Sequence, residues 1–286
     1  MLVVDFHTHV FPDAIAAATI KKLESNCAEA KGHTDGRLDS LKRSMQEGGI
    51  QYSVVLPVCT SPRQFDSINN FSAKNNDPAN GFVFFGGIHP DCVDVERKLD
   101  HIKSLGLKGI KLHPDFQHVF IDDERYVRII RKCVRLGLYV SIHAGVDIGA
   151  PEVVHCPPER AVKMLAEVYR DIDVSKEERP RVILAHLGGG FMLDETERHL
   201  CGKFVYLDLA FTFGWEDDAQ ILRIIKAHGA ERVLFATDSP WSGQKECVEA
   251  FKKFPLSDEE KRKIFSGNAV EMLDLLQVNQ PKYLIP

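Results

Sequence analysis

The sequence lacks the features that would tie it to a membrane or to export. It contains no apolar run near the roughly 20 residues that a membrane-spanning helix needs. No basic region followed by an apolar segment precedes its first apolar stretch, residues 2–6, and such a leader is typical of secreted proteins. We therefore expect a protein that is neither inserted into a membrane nor secreted.

The chain also lacks an excess of positive charge. Its 36 lysines and arginines are outnumbered by 41 aspartates and glutamates, which gives a net charge of -5 at pH 7. The overall field would not attract a nucleic acid or an anionic membrane. We expect a small molecule as the ligand, and the composition leaves a homo-oligomer open.

Cysteines are present but not in pairs. The seven cysteines are scattered, odd in number and never spaced as C-x-x-C. This pattern predicts reduced thiols in a cytoplasmic protein rather than a disulfide framework.

What the sequence does contain is an alternation of strand and helix patterns. Eight short apolar segments rich in β-branched residues predict strands at 2–6, 52–57, 82–87, 109–112, 138–142, 181–185, 204–209 and 233–236. Apolar residues at three- and four-residue spacing predict helices at 39–47, 94–104, 123–135, 158–169 and 217–228.

Alternating strands and helices imply a parallel sheet. Eight such units in 286 residues predict a single-domain α/β protein, a closed (β/α)8 TIM barrel, with an open doubly wound sheet as the structural alternative. An extra helix is predicted at about 14–30, lying over the barrel mouth. C-terminal helices at about 257–277 are expected to close the fold.

Half of the histidines fall at the ends of predicted strands. They are His7, His9, His89, His113, His143 and His186. The carboxyl ends of barrel strands converge on the face that carries active sites. We therefore expect these histidines to meet there, together with Asp238 after the eighth strand.

The histidines of the first strand predict a metal site. Side chains alternate along a strand, so His7 and His9 project the same way and can bind one ion together. His143 and Asp238 would complete a set of nitrogen and oxygen ligands suited to zinc, with one position open to water. The alternative for His143 or Asp238 is a hydrogen-bonded pocket residue. We expect one Zn²⁺ per chain, with Mn²⁺ or another divalent ion as the alternative.

Such an ion lowers the pKa of its water toward 7. Asp238 would take or relay the proton. His186, before three glycines, would steer the water, stabilise negative charge or act as the acid for the leaving group. Its structural alternative is a histidine that anchors the glycine turn.

Lys111 and His113 share a face of the fourth predicted strand. A lysine there could be carbamylated and bridge a second ion. Because Lys111 is two residues deeper than His113, we expect instead a buried cation paired with a carboxylate such as Asp5. His113 and, more weakly, His89 are expected to face the substrate.

Aromatic residues follow several of the predicted strands and would line the mouth with an apolar wall, unless they belong to the core. They are Phe11, Phe211, Phe213, Trp215 and Trp241. Arg63, after the second strand, is the candidate for holding a substrate carboxylate. Its alternative is a solvated surface arginine.

These motifs together resemble the amidohydrolase superfamily, and specifically its amidohydrolase-2 branch of metal-dependent barrel enzymes. The matching pieces are DFHTH with the following FP, KGIKLHP, HAG, AHLGG and ATDSPW, at residues 5–9, 108–114, 143–145, 185–189 and 236–241. The resemblance implies a single metal, usually zinc, on His7, His9, His143 and Asp238, and a catalytic His186. Lys111 and His113 stand where the related TatD-type nucleases carry a glutamate, so nuclease activity is not implied.

The branch contains both hydrolases and decarboxylases, and the metal ligands alone do not separate them. We expect hydrolysis of a small ester, lactone or amide by a metal-activated water. Decarboxylation of an aromatic or unsaturated acid is the alternative. It ranks second because it would need a cation to hold the substrate carboxylate, and Arg63 is the only arginine candidate for that role. A ligand-binding barrel without catalysis is less consistent with a chain that has kept every ligand and His186.

Overall fold

Nine short strands run through the part of the chain that the computed structural model describes, residues 1–27 and 29–275. They are β1 (Val4–Thr8), β2 (Tyr52–Val55), β3 (Phe82–Phe84), β4 (Gly86–Gly87), β5 (Gly109–Leu112), β6 (Tyr139–Ile142), β7 (Val182–Leu184), β8 (Tyr206–Asp208) and β9 (Val233–Leu234). All pair in parallel, in the orders β1-β2-β3 and β4-β5-β6-β7-β8-β9. Only Phe85 separates β3 from β4, so the two form the single strand predicted at 82–87.

The ring closes between its first and last strands. The amide of Phe6 donates to the carbonyl of Phe235 at 2.9 Å, and Thr8 forms a parallel bridge with Ser239. Sequential parallel strands closed in this way confirm the predicted (β/α)8 TIM barrel, in one domain.

Helices alternate with the strands along the chain. They are α1 (Asp13–Asn26), α2 (Leu38–Gly48), α3 (Phe65–Asn75), α4 (Val95–Ser104), α5 (Pro114–Gln117), α6 (Glu124–Leu136), α7 (Pro158–Val168), α8 (Leu193–His199), α9 (Asp218–His228), α10 (Gln244–Lys253), α11 (Asp258–Arg262) and α12 (Asn268–Leu273). A π-helical turn, Lys263–Gly267, joins the last two. In the described residues, no helix combines the length and the apolar character needed to cross a membrane.

The first of the two predicted extra segments is shorter than expected. Helix α1 ends at Asn26 because the chain becomes extended at Cys27, so the prediction of 14–30 was too long; residue 28 lies outside the described residues. Asn26 approaches Gly149 in the loop after β6, so α1 reaches toward that side of the mouth. The predicted C-terminal helices at 257–277 correspond to α11 and α12, and residues 276 and 277 lie outside the described residues.

Helix α6 illustrates how the sequence specifies the outer layer. Asp123 caps its start by accepting from the amide of Arg125, and Gly137 ends it with a positive φ of 73°. Its buried face carries apolar and aromatic side chains at helical spacing, Tyr126, Val127, Ile129, Ile130 and Cys133. This face packs in the hydrophobic layer shared with the outward-facing residues of the strands.

Two glycines tie together the loops that follow β6 and β7. Gly145 and Gly190 form a parallel bridge, and the amide of Val146 donates to the carbonyl of Gly190 at 2.9 Å. Gly145 has a φ of +88°, and a Cβ added to it would lie 2.1 Å from the nitrogen of Gly190. Only glycine permits this approach, which fixes the segments that follow His143 and His186.

We predict that Gly145→Ala destabilises the protein by more than about 3 kcal/mol, because backbone overlap adds to the positive-φ penalty. Gly137→Ala is the matched control, since Gly137 also has a positive φ, +73°, but nothing lies within 4 Å of an added Cβ. The control should lose only about 1–2 kcal/mol. Urea unfolding of both variants measures the difference, and equal losses would contradict the close-approach argument.

Candidate metal centre

Strand β1 brings two imidazoles to one point. The Nε2 atoms of His7 and His9 are 3.2 Å apart. The Nδ1 of His7 donates to Asp208 Oδ2 at 3.0 Å, and the Nδ1 of His9 donates to the carbonyl of Leu56 at 2.7 Å. A neutral imidazole has one N–H, so these partners assign a lone pair to both Nε2 atoms.

Asp238 adds a third electron-pair donor at the same point. Its Oδ1 is 3.4 Å from His7 Nε2 and 3.1 Å from His9 Nε2. This oxygen is buried and has no hydrogen-bond partner among the described residues. Three ligand atoms within 4.8 Å of one another could hold a metal ion, and a cation would satisfy the oxygen that no proton reaches.

Lys111 reaches the ligand layer as well. Its side chain is 1% exposed, and its Nζ lies 3.2 Å from His7 Nε2, to which it can donate. Burial lowers the pKa of Lys111 to about 8. Burial, reinforced by the charge of Lys111, also lowers the pKa of His7 well below its usual value, so His7 is neutral. The backbone of Lys111 pairs with Ser141, two residues below His143, and the length of its side chain carries the ammonium up to the ligand atoms.

Asp5 does not pair with Lys111, which corrects the sequence prediction. Its carboxylate accepts from the amide of Thr237 at 2.9 Å, from the hydroxyl of Thr237 at 2.6 Å and from Gln244 Nε2 at 2.7 Å. The pairing of β1 with β2 shifts register between Asp5 and Thr8. Asp5 and His7, two residues apart, therefore meet different partners.

Asp208 was missed by the sequence analysis. It is fully buried, and besides binding His7 it accepts from the amides of His186 and Ala210 through Oδ1, both at 3.0 Å. Burial raises the pKa of its carboxyl group. The signal in the sequence was a carboxylate at the end of an apolar strand, β8.

His186 lies beside the β1 pair. Its Nδ1 donates to the carbonyl of Ala210 at 2.9 Å, and its ring centroid is 5.4 Å from that of His7. Its Nε2 is 3.0 Å from His143 Nδ1. Its backbone also opens the glycine turn, with a φ of 55°, so His186 has a structural role in that turn, and its catalytic role stays a prediction.

His143 is not grouped with His7, His9 and Asp238. The structure places it with His113 and Asp147 in a second set of potential ligand atoms. Burial lowers the pKa of His143 well below its usual value, so this ring is also neutral. Its assignment as the fourth ligand stays a prediction.

His113 and His89 occupy different surroundings. The ring of His113 is stacked between His143, at 4.2 Å, and Phe116, at 4.0 Å. Its Nε2 donates to Asp147 Oδ2 at 3.2 Å. His89 uses its Nδ1 to accept the amide of Asp91 in its own loop, so the structure gives it a local role.

The aromatic residues divide between mouth and core. Phe211 and Trp215 stack with centroids 4.5 Å apart, and the exposed Phe191 meets Trp215 edge-on at 6.3 Å. Trp241 is half-buried and its amide donates to the carbonyl of Asp238 at 2.8 Å. Phe11 is half-buried too.

Two of the residues predicted for the barrel mouth, Phe213 and Arg63, do not lie beside the histidines. Phe213 packs on Phe251 and Phe254, so it is a core residue, which is the alternative that the sequence left open. Arg63 is exposed on the 3-10 turn Pro62–Gln64. No contact within the described residues brings its guanidinium to the histidines.

Comparison with protein families and solved structures gives a consistent fold. A family model described as Amidohydrolase matches residues 4–275. An uncharacterised TIM-barrel protein from Bordetella bronchiseptica superposes with a TM-score of 0.73 at 17% identity, covering 97% of this chain and 100% of that one. A search of curated proteins finds no match.

Two similar structures carry functional names. A dihydroxybenzoic acid decarboxylase from Polaromonas, with bound manganese and an inhibitor, has a TM-score of 0.67 at 16% identity and covers 100% of this chain and 99% of its own. A putative 2-pyrone-4,6-dicarboxylic acid hydrolase from Pseudomonas putida has a TM-score of 0.62 at 14% identity, covering 96% and 98%. At these identities the likeness shows the fold alone.

We predict that the double variant His7→Ala, His9→Ala loses its divalent metal, because two of the three converging ligand atoms are removed. Loss of a supporting residue alone costs about 10–100-fold in metal affinity, and loss of ligands should cost more. The control is His101→Ala, an exposed histidine on α4. Elemental analysis of the purified proteins is the measurement, and full metal content in the double variant would contradict the site.

Proposed function

The chain belongs to the amidohydrolase family and is a metal-dependent enzyme; on that basis we propose that it hydrolyses a small ester, lactone or amide. The observation that supports this proposal is the convergence of His7 Nε2, His9 Nε2 and Asp238 Oδ1 beside His186. A divalent ion held there would supply a water activated at neutral pH.

We propose zinc as the ion, because nitrogen and carboxylate ligands suit it. Manganese is the alternative, since a similar solved structure holds it. We further propose His143 as the fourth ligand, which requires its ring to contribute an atom on the side facing His186. Asp238 would hold the ion through Oδ1, whose lone pairs no proton of the protein satisfies.

His186 is the proposed proton carrier. Its Nδ1–H is held by the carbonyl of Ala210, so in the neutral ring Nε2 is the free acceptor. A proton taken at Nε2 would make the ring a cation beside the substrate, able to stabilise negative charge or to protonate a leaving group.

The proposed substrate space lies between the histidines and the stacked aromatics. Phe211 and Trp241 would contribute an apolar wall, with Phe11 at the side of α1. His113 is 6% exposed and already bonded to Asp147, so it would meet the substrate with its edge. His89 and Arg63 have less support, because one is bonded within its own loop and the other is exposed.

Decarboxylation of an aromatic or unsaturated acid is the second candidate. It is favoured by Lys111, a buried cation within the site, and by the flat wall of Phe211 and Trp215. Decarboxylation needs a cation that holds the substrate carboxylate, and hydrolysis does not. Lys111 already donates to His7, and Arg63 is exposed, so neither has a supported role as that cation. We therefore favour hydrolysis.

The seven cysteines are all free, and six of them are buried. Free thiols are typical of reducing compartments. We infer a cytoplasmic location from this pattern.

We predict that a screen of esters, lactones, amides and aromatic acids will detect acid release and no carbon dioxide. Both products are recorded in each reaction, with the His7→Ala, His9→Ala variant as the blank for contaminating enzymes. Carbon dioxide from an aromatic acid, with no cleavage of any ester, lactone or amide, would establish the decarboxylase instead.

We predict that His186→Asn keeps the metal but lowers kcat by about 100- to 10,000-fold on the substrate found, because a positioned acid or base contributes that much. His101→Asn on α4 is the control and should retain kcat. Metal content and kcat are measured on the same preparations. If His186→Asn lost its metal as readily as a His143 variant, His186 would be a ligand.

A further inference from the structure

The two ring nitrogens of His143 have different neighbours, and each set of neighbours could accept the single ring proton. Its Nδ1 is 3.0 Å from His186 Nε2. Its Nε2 is buried, has no hydrogen-bond partner among the described residues, and lies 3.7 Å from Asp115 Oδ2 and 3.9 Å from Asp147 Oδ2. A neutral imidazole can place its N–H on only one side.

One carboxylate oxygen of Asp115 accepts hydrogen bonds and the other has no hydrogen-bond partner among the described residues. Asp115 is 2% exposed and belongs to α5, after β5. Its Oδ1 accepts from both the amide and the Nδ1 of His155, each at 3.0 Å. Its Oδ2 is buried without a hydrogen-bond partner in the described part of the chain, so it remains an acceptor that faces His143.

We propose that Asp115 is a positioning residue that places the proton of His143 on Nε2 and directs the Nδ1 lone pair toward His186. The opposite tautomer would point a lone pair at two carboxylate oxygens. Its compensation would be one hydrogen bond to the neutral Nε2 of His186, whereas a proton on Nε2 of His143 is attracted electrostatically, in a buried site, by carboxylate oxygens 3.7 and 3.9 Å away.

The proposed tautomer has a consequence for metal binding, which rests on the proposed function. His186 Nε2 also carries a lone pair, because its Nδ1–H is held by Ala210. His143 Nδ1 then presents a lone pair 3.0 Å from His186 Nε2, and the ring of His186 lies beside His7, with centroids 5.4 Å apart. A cation near these lone pairs would relieve their repulsion, so His143 would bind the ion through Nδ1 while the carboxylate of Asp115 favours the proton on Nε2.

A second ion among His113, His143 and Asp147 explains the geometry less well. The rings of His113 and His143 are stacked 4.2 Å apart and nearly parallel, at 10°. An imidazole binds a metal in its ring plane, and one ion cannot lie in two parallel planes. His113 Nε2 already donates to Asp147, so it needs no ion. A proton on His143 Nε2 accounts for the remaining carboxylate contacts without a second metal.

The first test is the tautomer of His143 in the metal-free wild-type protein. Long-range ¹H–¹⁵N spectra of protein labelled with ¹⁵N-histidine distinguish protonated from bare ring nitrogens, and a His143→Gln variant assigns the signals. We expect a protonated Nε2 and a bare Nδ1. A proton on Nδ1 would overturn the proposal without any Asp115 variant being needed.

The second test inverts the tautomer. In Asp115→Asn the amide oxygen can keep the bonds to His155 while its NH₂ replaces Oδ2 and donates to His143 Nε2, so the proton should move to Nδ1. Asp122→Asn is the matched control, because Asp122 pairs with Arg160 at 2.6 Å, and it should leave the tautomer unchanged. Asp147→Asn should also leave it unchanged; inversion there but not in Asp115→Asn would overturn the assignment.

The third test separates this proposal from the proposed function. Competition with a chelator should show a 10- to 100-fold loss of zinc affinity in Asp115→Asn, the usual effect of losing a residue that supports a ligand, and none in Asp122→Asn. An inverted tautomer with unchanged affinity would overturn the metal-binding part. A wild-type protein that binds no zinc, manganese or other divalent ion would contradict the proposed function and leave the tautomer result standing.

Discussion

The candidate metal site depends on one constraint: its histidine nitrogens and the Asp238 oxygen bring more lone pairs together than there are protons to bond them. His9 Nε2 and Asp238 Oδ1 are 3.1 Å apart, and neither nitrogen nor oxygen has a proton to share once His9 Nδ1–H is held by the carbonyl of Leu56. Lys111 supplies one N–H, to His7. Such an arrangement is costly to bury unless a cation completes it, so the protein fold itself creates the demand for a metal ion.

The candidate ligands are brought together where the barrel closes between β1 and the segment that follows β9. Asp5 holds the amide and hydroxyl of Thr237, and the amide of Asp238 donates to the carbonyl of His7 at 2.9 Å. The aspartate from the end of the chain is thereby fixed against the histidines from its beginning. A bond network that closes the ring of strands also sets the distance between the candidate ligands, so fold stability and site geometry share the same residues.

The sequence predicted the barrel, because the period-two and period-3.6 patterns alternate over its whole length, and it predicted where the strand ends would place histidines. It did not predict which carboxylates support them. Asp208 belongs to an apolar strand, and Asp115 and Asp147 follow strand ends at distances that no periodicity specifies. The Asp5–Lys111 pair was wrong because a register shift inside β1 changes which neighbours alternating residues meet.

A carboxylate fixes the tautomer of His7, and we propose the same arrangement for His143; both rings lie beside His186. Asp208 holds Nδ1–H of His7 and leaves a lone pair on Nε2, to which Lys111 donates, whereas the proposed role of Asp115 is to favour the proton on Nε2 of His143 and leave the lone pair on Nδ1. The two carboxylates act on different ring nitrogens, because Asp208 lies next to Nδ1 of His7 and Asp115 lies on the Nε2 side of His143. On this proposal, the neighbouring carboxylates determine which nitrogen of His7 and of His143 carries the lone pair, and the strand ends determine where each ring lies.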